Sequence, residues 1–316
     1  MTVYAPPTPS MLSGTSVGRI RKLKNATATV VISSCLAIAL IPLVWLIWTV
    51  VSKGIHAATR NGWFTESQRN KTYTTPGGGV LHAIIGTAEQ VALCSAIAVP
   101  VALLVAIYLV EYGRGALARI TTFMIDILTG VPSIVAALFI YAVFIGTLGQ
   151  NKAGWLVSFA LVMLMIPVVE RTTEEMLRLV PDELREASYA LGVPKWRTVL
   201  RVVLPAALTG TITGIMLGIA RVAGETAPLL VLATYTPNLN TDLFTGPQAT
   251  LPALINDQTL NANSGGTYQL GPDGKAHLVH NFAVDRLWGA ALTLIVIVMG
   301  LNLIARLVGR FNRIAE

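Results

Sequence analysis

Charged side chains are scarce in this chain. Asp, Glu, Lys and Arg make up 12% of its 316 residues and hydrophobic residues make up 53%, whereas soluble domains carry about 25% charged residues. The deficit indicates a chain whose main solvent is lipid, and no large polar insert divides it into separate domains. A net charge of +7 can indicate nucleic-acid binding. Membrane proteins, however, collect Lys and Arg in cytoplasmic loops, so no nucleic-acid partner is predicted.

Cysteines and catalytic motifs are equally sparse. The two cysteines, Cys35 and Cys94, fall inside apolar segments, where a free thiol behaves as a small hydrophobe. Neither a disulfide nor a metal site is therefore predicted. No Gly-x-x-x-x-Gly-Lys-[Ser/Thr] sequence occurs, so the chain lacks the P-loop of an ATPase. With no nucleophile–base pair and no paired carboxylates, the sequence predicts neither an enzyme nor a cofactor.

Long apolar segments are abundant. Six are long enough to cross about 30 Å of hydrocarbon, and unpaired backbone is too costly in lipid for open strands or loops. The sequence therefore predicts an all-α polytopic membrane protein with six transmembrane helices, after a cytoplasmic segment 1–28. Pro132 is expected to kink or break the third helix. The predicted helices lie near 29–51, 82–110, 123–147, 154–179, 205–235 and 287–309.

Basic residues set the expected orientation. Placing both termini in the cytoplasm leaves 15 Lys and Arg inside and seven outside, with Arg221 inside a span, in agreement with the positive-inside rule. The longest loop, 236–286, is then external, and its part 261–280 is interpreted as a flexible polar insert. The first external loop departs from the rule because it holds Lys53, Arg60, Arg69 and Lys71.

The segment from Glu186 to Pro205 carries the most specific pattern. It reads Glu-Ala-Ser at 186–188, Gly192 after three more residues, and Val-Val-Leu-Pro at 202–205 after nine more. This spacing resembles the EAA loop that permeases of ABC importers present to their ATPase. The resemblance implies that a loop at about 180–205 couples ATP hydrolysis in a partner chain to solute movement in this one.

Within this loop, residues 181–191 are predicted to form a short helix. Pro181 suits its first turn, and Gly192 can supply a left-handed cap at its end. The alternative is a surface helix lying on anionic lipid headgroups, but six acidic residues balance six basic ones between 170 and 204. The residues predicted to couple to the ATPase, which include the weakly apolar face of this helix, are Leu184, Glu186, Ala187, Ser188, Leu191 and Gly192.

The predicted fifth helix carries small and charged residues on one face, since at 100° per residue they fall within about 80° of one another. A stripe of small residues lets another helix approach closely, and intramembrane charges usually face a protein interior or water. We expect this face, which would also include Pro228, to line a subunit interface with a polar path. Its main residues are Gly210, Gly214, Gly218, Arg221 and Glu225.

Arg221 has three interpretations from the sequence. In the first, Arg221 forms an ion pair with Glu225, although Arg before Glu is the weaker order for such a pair in a helix. Alternatively, it lines an anion path modulated by Glu225, because a guanidinium fork matches the paired oxygens of an oxyanion. The third interpretation is a contact with a partner chain. Arg171 is a weaker candidate for the same path, with a helix-end arginine that snorkels to the interface as its alternative.

Further stretches identify the chain as similar to a known family. They lie at 106–112, 130–135, 166–175, 220–230 and 301–306. With the EAA loop, they resemble the permease subunits of high-affinity phosphate ABC importers, the PstA type more than the PstC type. The run Arg-x-x-x-Glu-Thr-Ala-Pro-Leu at 221–229 is the most specific to phosphate. The chain departs from the family pattern at Ile166 and at Glu170, whose carboxylate weakens an anion role for Arg171.

The resemblance implies a type I ABC-importer transmembrane domain over 29–316 in the plasma membrane, together with a set of partners. These are a second permease of the PstC type, an ATPase dimer of the PstB type and an external phosphate-binding protein of the PstS type. Arg221 would then supply positive potential along the phosphate path. Two rival functions stay open, namely a permease for sulfate or molybdate and a phosphate-sensing membrane partner in signalling.

Overall fold

The chain is described here from a computed structural model that covers residues 18–263, 268–270, 276–278 and 280–312. Most of the predicted segment 1–28 and part of the insert 261–280 lie outside the described residues. The described chain is mainly helical. The helices are α1 (Arg19–Ala58), α2 (Leu81–Ile107), α3 (Gly115–Gly130), α4 (Ser133–Ile140), α5 (Gly154–Arg178), α6 (Asp182–Ala190), α7 (Lys195–Thr198), α8 (Leu204–Ala223), α9 (Ala227–Leu232), α10 (Leu251–Ala262) and α11 (Phe282–Asn312).

Shorter elements complete the described secondary structure. Strand β1 (Tyr268–Leu270) pairs antiparallel with β2 (Ala276–Leu278). Wide π-helical turns follow α2 at Tyr108–Tyr112, follow α4 at Tyr141–Thr147 and precede α8 at Val199–Val203. The chain divides into one unit of residues 1–51 and a second of residues 52–316. Helix α1 begins in the first unit, and every other element belongs to the second.

The all-α membrane fold predicted from the sequence is confirmed. In the described part of the chain, five helices are long and apolar enough to cross a membrane, and a sixth span results if α3 and α4 count as one. These two helices meet at an angle of 106°. The break falls at Val131–Pro132, because a proline restricts the residue before it to extended backbone. The break predicted at Pro132 is thus confirmed, but the third span begins earlier than predicted, at Gly115.

Helix α5 forms the centre of the core. Its residues Leu156, Val157, Ala160 and Met165 are fully buried, and the main apolar cluster joins them to α2, α4 and α9. The helix continues to Arg178, past the point near 169 where its strongly apolar sequence ends. The other elements of the second unit are therefore organised around a helix that lipid touches little.

The glycine stripe of α8 packs against α5 of the same chain. A Cβ on Gly214 would lie 2.6 Å from Thr172 Cβ, and one on Gly218 would lie 2.9 Å from Val169 Cγ2. At Gly210 the Met176 side chain occupies the corresponding space. The stripe thus mediates helix packing, as small residues do in membranes. The expectation that it lines a subunit interface is wrong, because α5 already covers it.

The stretch 236–286 is more structured than its composition indicates. Thr250 caps α10 by accepting a hydrogen bond from the Ala253 amide, and β1 and β2 form within the insert that was interpreted as flexible. Just before α10, the backbone of Ala249 enters the space beside Gly86, where a Cβ would collide with its carbonyl oxygen. A threonine cap followed by proline in the first helical turn is the sequence signal that marks α10.

Replacing Gly214 by alanine is expected to destabilise the fold by about 1–3 kcal/mol, because the new methyl group overpacks the contact with Thr172. The thermal unfolding midpoint of the purified chain in detergent measures the loss. Gly300→Ala is the matched control, since nothing lies within 4 Å of a Cβ at that helical glycine. Equal midpoints for the two variants would contradict the close approach of α8 to α5.

Candidate coupling loop and translocation path

The short helix that the sequence predicts at 181–191 forms. Helix α6 begins after Pro181, carries Asp182 and Glu183 in its first turn and ends at Ala190. Acidic side chains at this end favour the helix because they complement its dipole. Gly192 then adopts φ +77°, the left-handed conformation of a C-terminal cap. Helix α6 is therefore a separate short helix between α5 and α8, with its own N-terminal and C-terminal signals.

The outer surface of this loop is apolar and exposed. Leu184 is 44% exposed and Leu191 is 84% exposed, with Trp196 of α7 also exposed. Ala187, Glu186 and Gly192 are exposed beside them. Large apolar side chains exposed on one loop can mark a docking site. Five of the six predicted coupling residues are therefore accessible to a partner.

Ser188 is the exception among the predicted coupling residues. Its hydroxyl is buried and lies 2.8 Å from the Thr198 hydroxyl of α7, which is buried as well. The side chain therefore joins α6 to α7 and does not reach the outer surface. The helical spacing that grouped Ser188 with the apolar face could not show this bond, because the partner comes from a later helix.

Arg185 anchors the loop to the membrane helices, a role that sequence reasoning missed. Its Nε lies 3.0 Å from Glu111 Oε1, and its Nη1 lies 3.0 Å from Asp182 Oδ1. The guanidinium also donates to the carbonyls of Val180 at 2.6 Å and Leu177 at 2.9 Å. The Arg185 and Glu111 side chains are only 12% and 4% exposed. Helix α6 is thus tied both to the end of α2 and to the end of α5.

A second cation strengthens the same attachment. Lys195 of α7 donates to the carbonyl oxygen of Glu111 and lies 4.9 Å from the centre of the Tyr112 ring. Both acceptors belong to the π turn that ends α2. The sequence signal for this anchor is a carboxylate between two tyrosines at the end of an apolar span, in the stretch 106–112.

The predicted fifth helix is broken where its charges lie. Helix α8 ends at Ala223, and α9 begins only at Ala227, so Pro228 does not share a helical face with the glycines. Arg221 lies in the last turn of α8 with an exposed side chain. In the part of the chain that the structure describes, neither Arg221 nor Glu225 belongs to an ion pair. The ion-pair interpretation of Arg221 is therefore wrong.

Glu225 lies in the break and is half-buried. It lines a small cavity together with Thr87 and Gln90 of α2. Gln90 Nε2 donates to Gln248 Oε1 at 2.8 Å, and Gln248 Nε2 donates to Glu89 Oε2 at 2.6 Å. The carboxylate of Glu225 therefore lies at the edge of a polar patch between helices.

Arg171 is held by carboxylates. It binds Asp126 of α3, its Nη1 lies 3.0 Å from Glu174 Oε2, and its Nε lies 4.0 Å from Glu170 Oε2. Glu174 also binds Arg178 at 2.6 Å. Arg171 thus bridges α3 and α5 through ion pairs. Because carboxylates already neutralise its charge, the structure gives no support to its predicted role in an anion path.

A second cavity, of about 330 Å³, lies between α9 and α10. It is lined by both apolar and polar side chains, among them Lys152, Tyr235, Asn256 and Asp257. Burial raises the pKa of the Asp257 carboxyl, and burial with the nearby Asp257 charge raises the pKa of the Tyr235 phenol. Among the described residues, no group of three His, Cys, Asp or Glu side chains could hold a metal ion.

Comparison with known proteins gives one family. The profile of the family described as "Binding-protein-dependent transport system inner membrane component" matches residues 98–312. "Phosphate transport system permease protein PstA 1" of Mycobacterium tuberculosis H37Rv is 50% identical over 288 residues, which are 91% of this chain and 88% of that protein. "Phosphate transport system permease protein PstA" of Yersinia pestis is 43% identical over 236 residues, 74% of this chain and 78% of that protein.

Solved structures share the fold at low sequence identity. A chain of the bacterial alginate ABC transporter, solved with an alginate-bound periplasmic protein, gives a TM-score of 0.61 at 10% identity and covers 89% of this chain and 93% of its own. A chain of the inward-facing MetNI methionine ABC transporter gives a TM-score of 0.53 at 18% identity, over 74% of this chain and 94% of its own. The chain is a multi-pass membrane protein that belongs to the inner membrane components of binding-protein-dependent transport systems, among the PstA permeases.

Proposed function

We propose that this chain is the phosphate-translocating permease subunit of an ATP-driven importer in the plasma membrane. The observation that carries the proposal is the EAA-spaced loop, whose helix α6 is exposed on its apolar side and tied to α2 and α5 through Arg185. The PstA names of the relatives favour phosphate as the substrate. The chain has no P-loop, so hydrolysis belongs to a partner.

That partner is an ATPase dimer of the PstB type. One subunit of this dimer would receive the exposed surface around Leu184, Leu191 and Trp196 in an apolar groove. When ATP closes the dimer, the groove carries α6 with it. Because Arg185 holds α6 to Glu111 and to the end of α5, the movement reaches the membrane helices.

The phosphate path passes the break between α8 and α9. Arg221 is exposed there and has no carboxylate partner in the described chain, so its guanidinium is available to an oxyanion. A second permease of the PstC type would complete the path on the exposed side of Arg221, with Glu225 limiting how tightly phosphate is held. An external phosphate-binding protein of the PstS type delivers the substrate.

The proposed topology places both termini in the cytoplasm. Residues 1–28, of which 1–17 lie outside the described chain, precede a transmembrane domain that covers 29–316. The coupling loop at 180–205 then faces the ATPase, and the stretch 236–286 with α10 faces the binding protein. The excess of Lys and Arg on the cytoplasmic side supports this orientation.

Placing a charge on the outer face of α6 is expected to block docking of the ATPase. Leu184→Asp should weaken the affinity of the purified permease for its ATPase by about tenfold or more, because a carboxylate enters an apolar interface. Leu239→Asp is the matched control, since Leu239 is 45% exposed and Leu184 is 44% exposed. Unchanged affinity for the Leu184 variant would refute the coupling role.

Removing the anchor is expected to uncouple hydrolysis from transport. Arg185→Gln leaves Glu111 buried without its partner, a loss of about 3–5 kcal/mol, and fewer phosphate ions should enter reconstituted vesicles per ATP hydrolysed. Adding Glu111→Gln should restore part of the stability. Arg178→Gln removes a more exposed ion pair and should cost less than about 1 kcal/mol. Normal coupling in Arg185→Gln would disprove the anchor.

Neutralising Arg221 is expected to lower phosphate uptake about 10- to 100-fold without preventing assembly, because one charge-assisted hydrogen bond to the anion is lost. Uptake of labelled phosphate by Arg221→Gln, with sulfate and molybdate as competitors, measures the loss, and Arg201→Gln serves as the exposed control. Stronger competition by sulfate or molybdate than by phosphate would identify another oxyanion as substrate. Normal uptake with lost phosphate signalling would favour the sensor.

A further inference from the structure

A group of cations lies on the side of the protein that the proposed topology assigns to the exterior. The segment between α1 and α2 carries Arg60, Arg69 and Lys71, against the positive-inside bias, which leaves external loops poor in Lys and Arg. The phosphate path at Arg221 does not use them. The structure shows that Arg60 and Lys71 converge on one glycine-rich turn, beside a third cation from α11.

The third cation, Arg286, is buried and lacks an anionic partner. It is only 2% exposed, and a guanidinium has five N–H donors. Nη2 donates to the Thr72 carbonyl at 2.6 Å, whereas Nε and Nη1 find no acceptor. The nearby carboxylates have other partners, since Asp285 binds His280 at 2.9 Å and Asp257 accepts from Gln258 and Asn261.

The unpaired Nη1 of Arg286 lies beside the turn Gly77–Gly78. A Cβ on Gly78 would lie 3.7 Å from Arg286 Nη1, and one on Gly77 would lie 3.2 Å from Lys71 Nζ. Both glycines have positive φ, +88° and +82°, which side-chain-bearing residues rarely adopt. In the described chain, their amide groups donate no hydrogen bond. Free N–H groups in a turn form a concavity that attracts anions.

Arg60 supports the turn from another direction. It donates to the Gly78 carbonyl oxygen, and its guanidinium lies 5.7 Å from the centre of the Trp63 ring. This bond fixes the peptide unit between Gly78 and Gly79, whose amide donates to the Ser67 carbonyl oxygen at 3.3 Å. In the part of the chain that the structure describes, no carboxylate pairs with Arg60, Lys71 or Arg286. The turn is therefore surrounded by three cations that no carboxylate of the described chain contacts directly.

We propose that Arg286, Lys71 and the Gly77–Gly78 amides form a binding site for a tetrahedral oxyanion of the inorganic phosphate class. A buried guanidinium without a counter-ion is costly, and an oxyanion supplies several strong acceptors at once. The site would hold the anion at the outer entrance before it reaches Arg221, an order that rests on the proposed function. A lipid headgroup phosphate has the same chemistry and is distinguished by experiment.

The test measures equilibrium binding of radiolabelled inorganic phosphate to the purified full chain in nanodiscs of phosphatidylcholine, without ATP or partners. Lys71→Gln should weaken binding about tenfold, the value of one charge-assisted hydrogen bond, and Arg286→Gln should abolish it. Arg69→Gln is the matched control, because Arg69 is exposed in the same loop and should bind as the unmodified chain does.

Nanodiscs that contain phosphatidylglycerol identify the source of the anion. Loss of phosphate binding there, equally in the unmodified chain and in Arg69→Gln, would show that a lipid headgroup occupies the same site. If Lys71→Gln binds like the unmodified chain, or if neither phosphate nor phosphatidylglycerol binds, the proposal is overturned. Lys71 is exposed, so this variant decides the matter even if Arg286→Gln fails to fold. Absent uptake with intact binding would refute the proposed transport function alone.

Discussion

The buried ion pair between Arg185 and Glu111 is the interaction on which the proposed coupling depends. Without it, α6 would lose its bond to the end of α2 and keep the bond of Arg185 to the Leu177 carbonyl and that of Ser188 to Thr198. Taking two charges out of water is costly. Here the guanidinium recovers that cost through two carbonyl oxygens and a second carboxylate. The result is a stiff attachment, which a loop needs if it is to transmit movement to a membrane helix.

The two arginines that the sequence analysis singled out differ in the number of carboxylates around them. Arg171 is surrounded by Asp126, Glu170 and Glu174, so it serves the packing of α3 on α5. Arg221 lies where α8 ends, and no carboxylate compensates it in the described chain. The contrast follows from position, because α5 is the central helix with neighbours on most sides, whereas the end of α8 projects an exposed side chain.

Much of the fold could be predicted from the sequence, because lipid allows few solutions. Apolar length locates the spans, and Gly192 with Pro181 locates the ends of α6. The errors have a common physical origin. A helical wheel assumes an unbroken helix, and so it placed Pro228 and Gly210 on one face, although Gly224 and Pro228 are themselves signals for an end and a new start. Contacts such as Arg185 with Glu111 join residues 74 positions apart, and local patterns contain no information about them.

The π turns at Tyr108–Tyr112 and Val199–Val203 have a consequence for the coupling loop. A π turn contains one residue more than an α-helical turn, so each of these junctions stores a spare residue. One junction ends α2 beside the anchor of Arg185, and the other leads from α7 into α8. Winding the spare residue in or out would rotate the attached helix by about 100° while its peptide groups keep hydrogen-bonded partners. The coupling loop is therefore connected to the membrane helices through two π turns, each of which allows the attached helix to rotate.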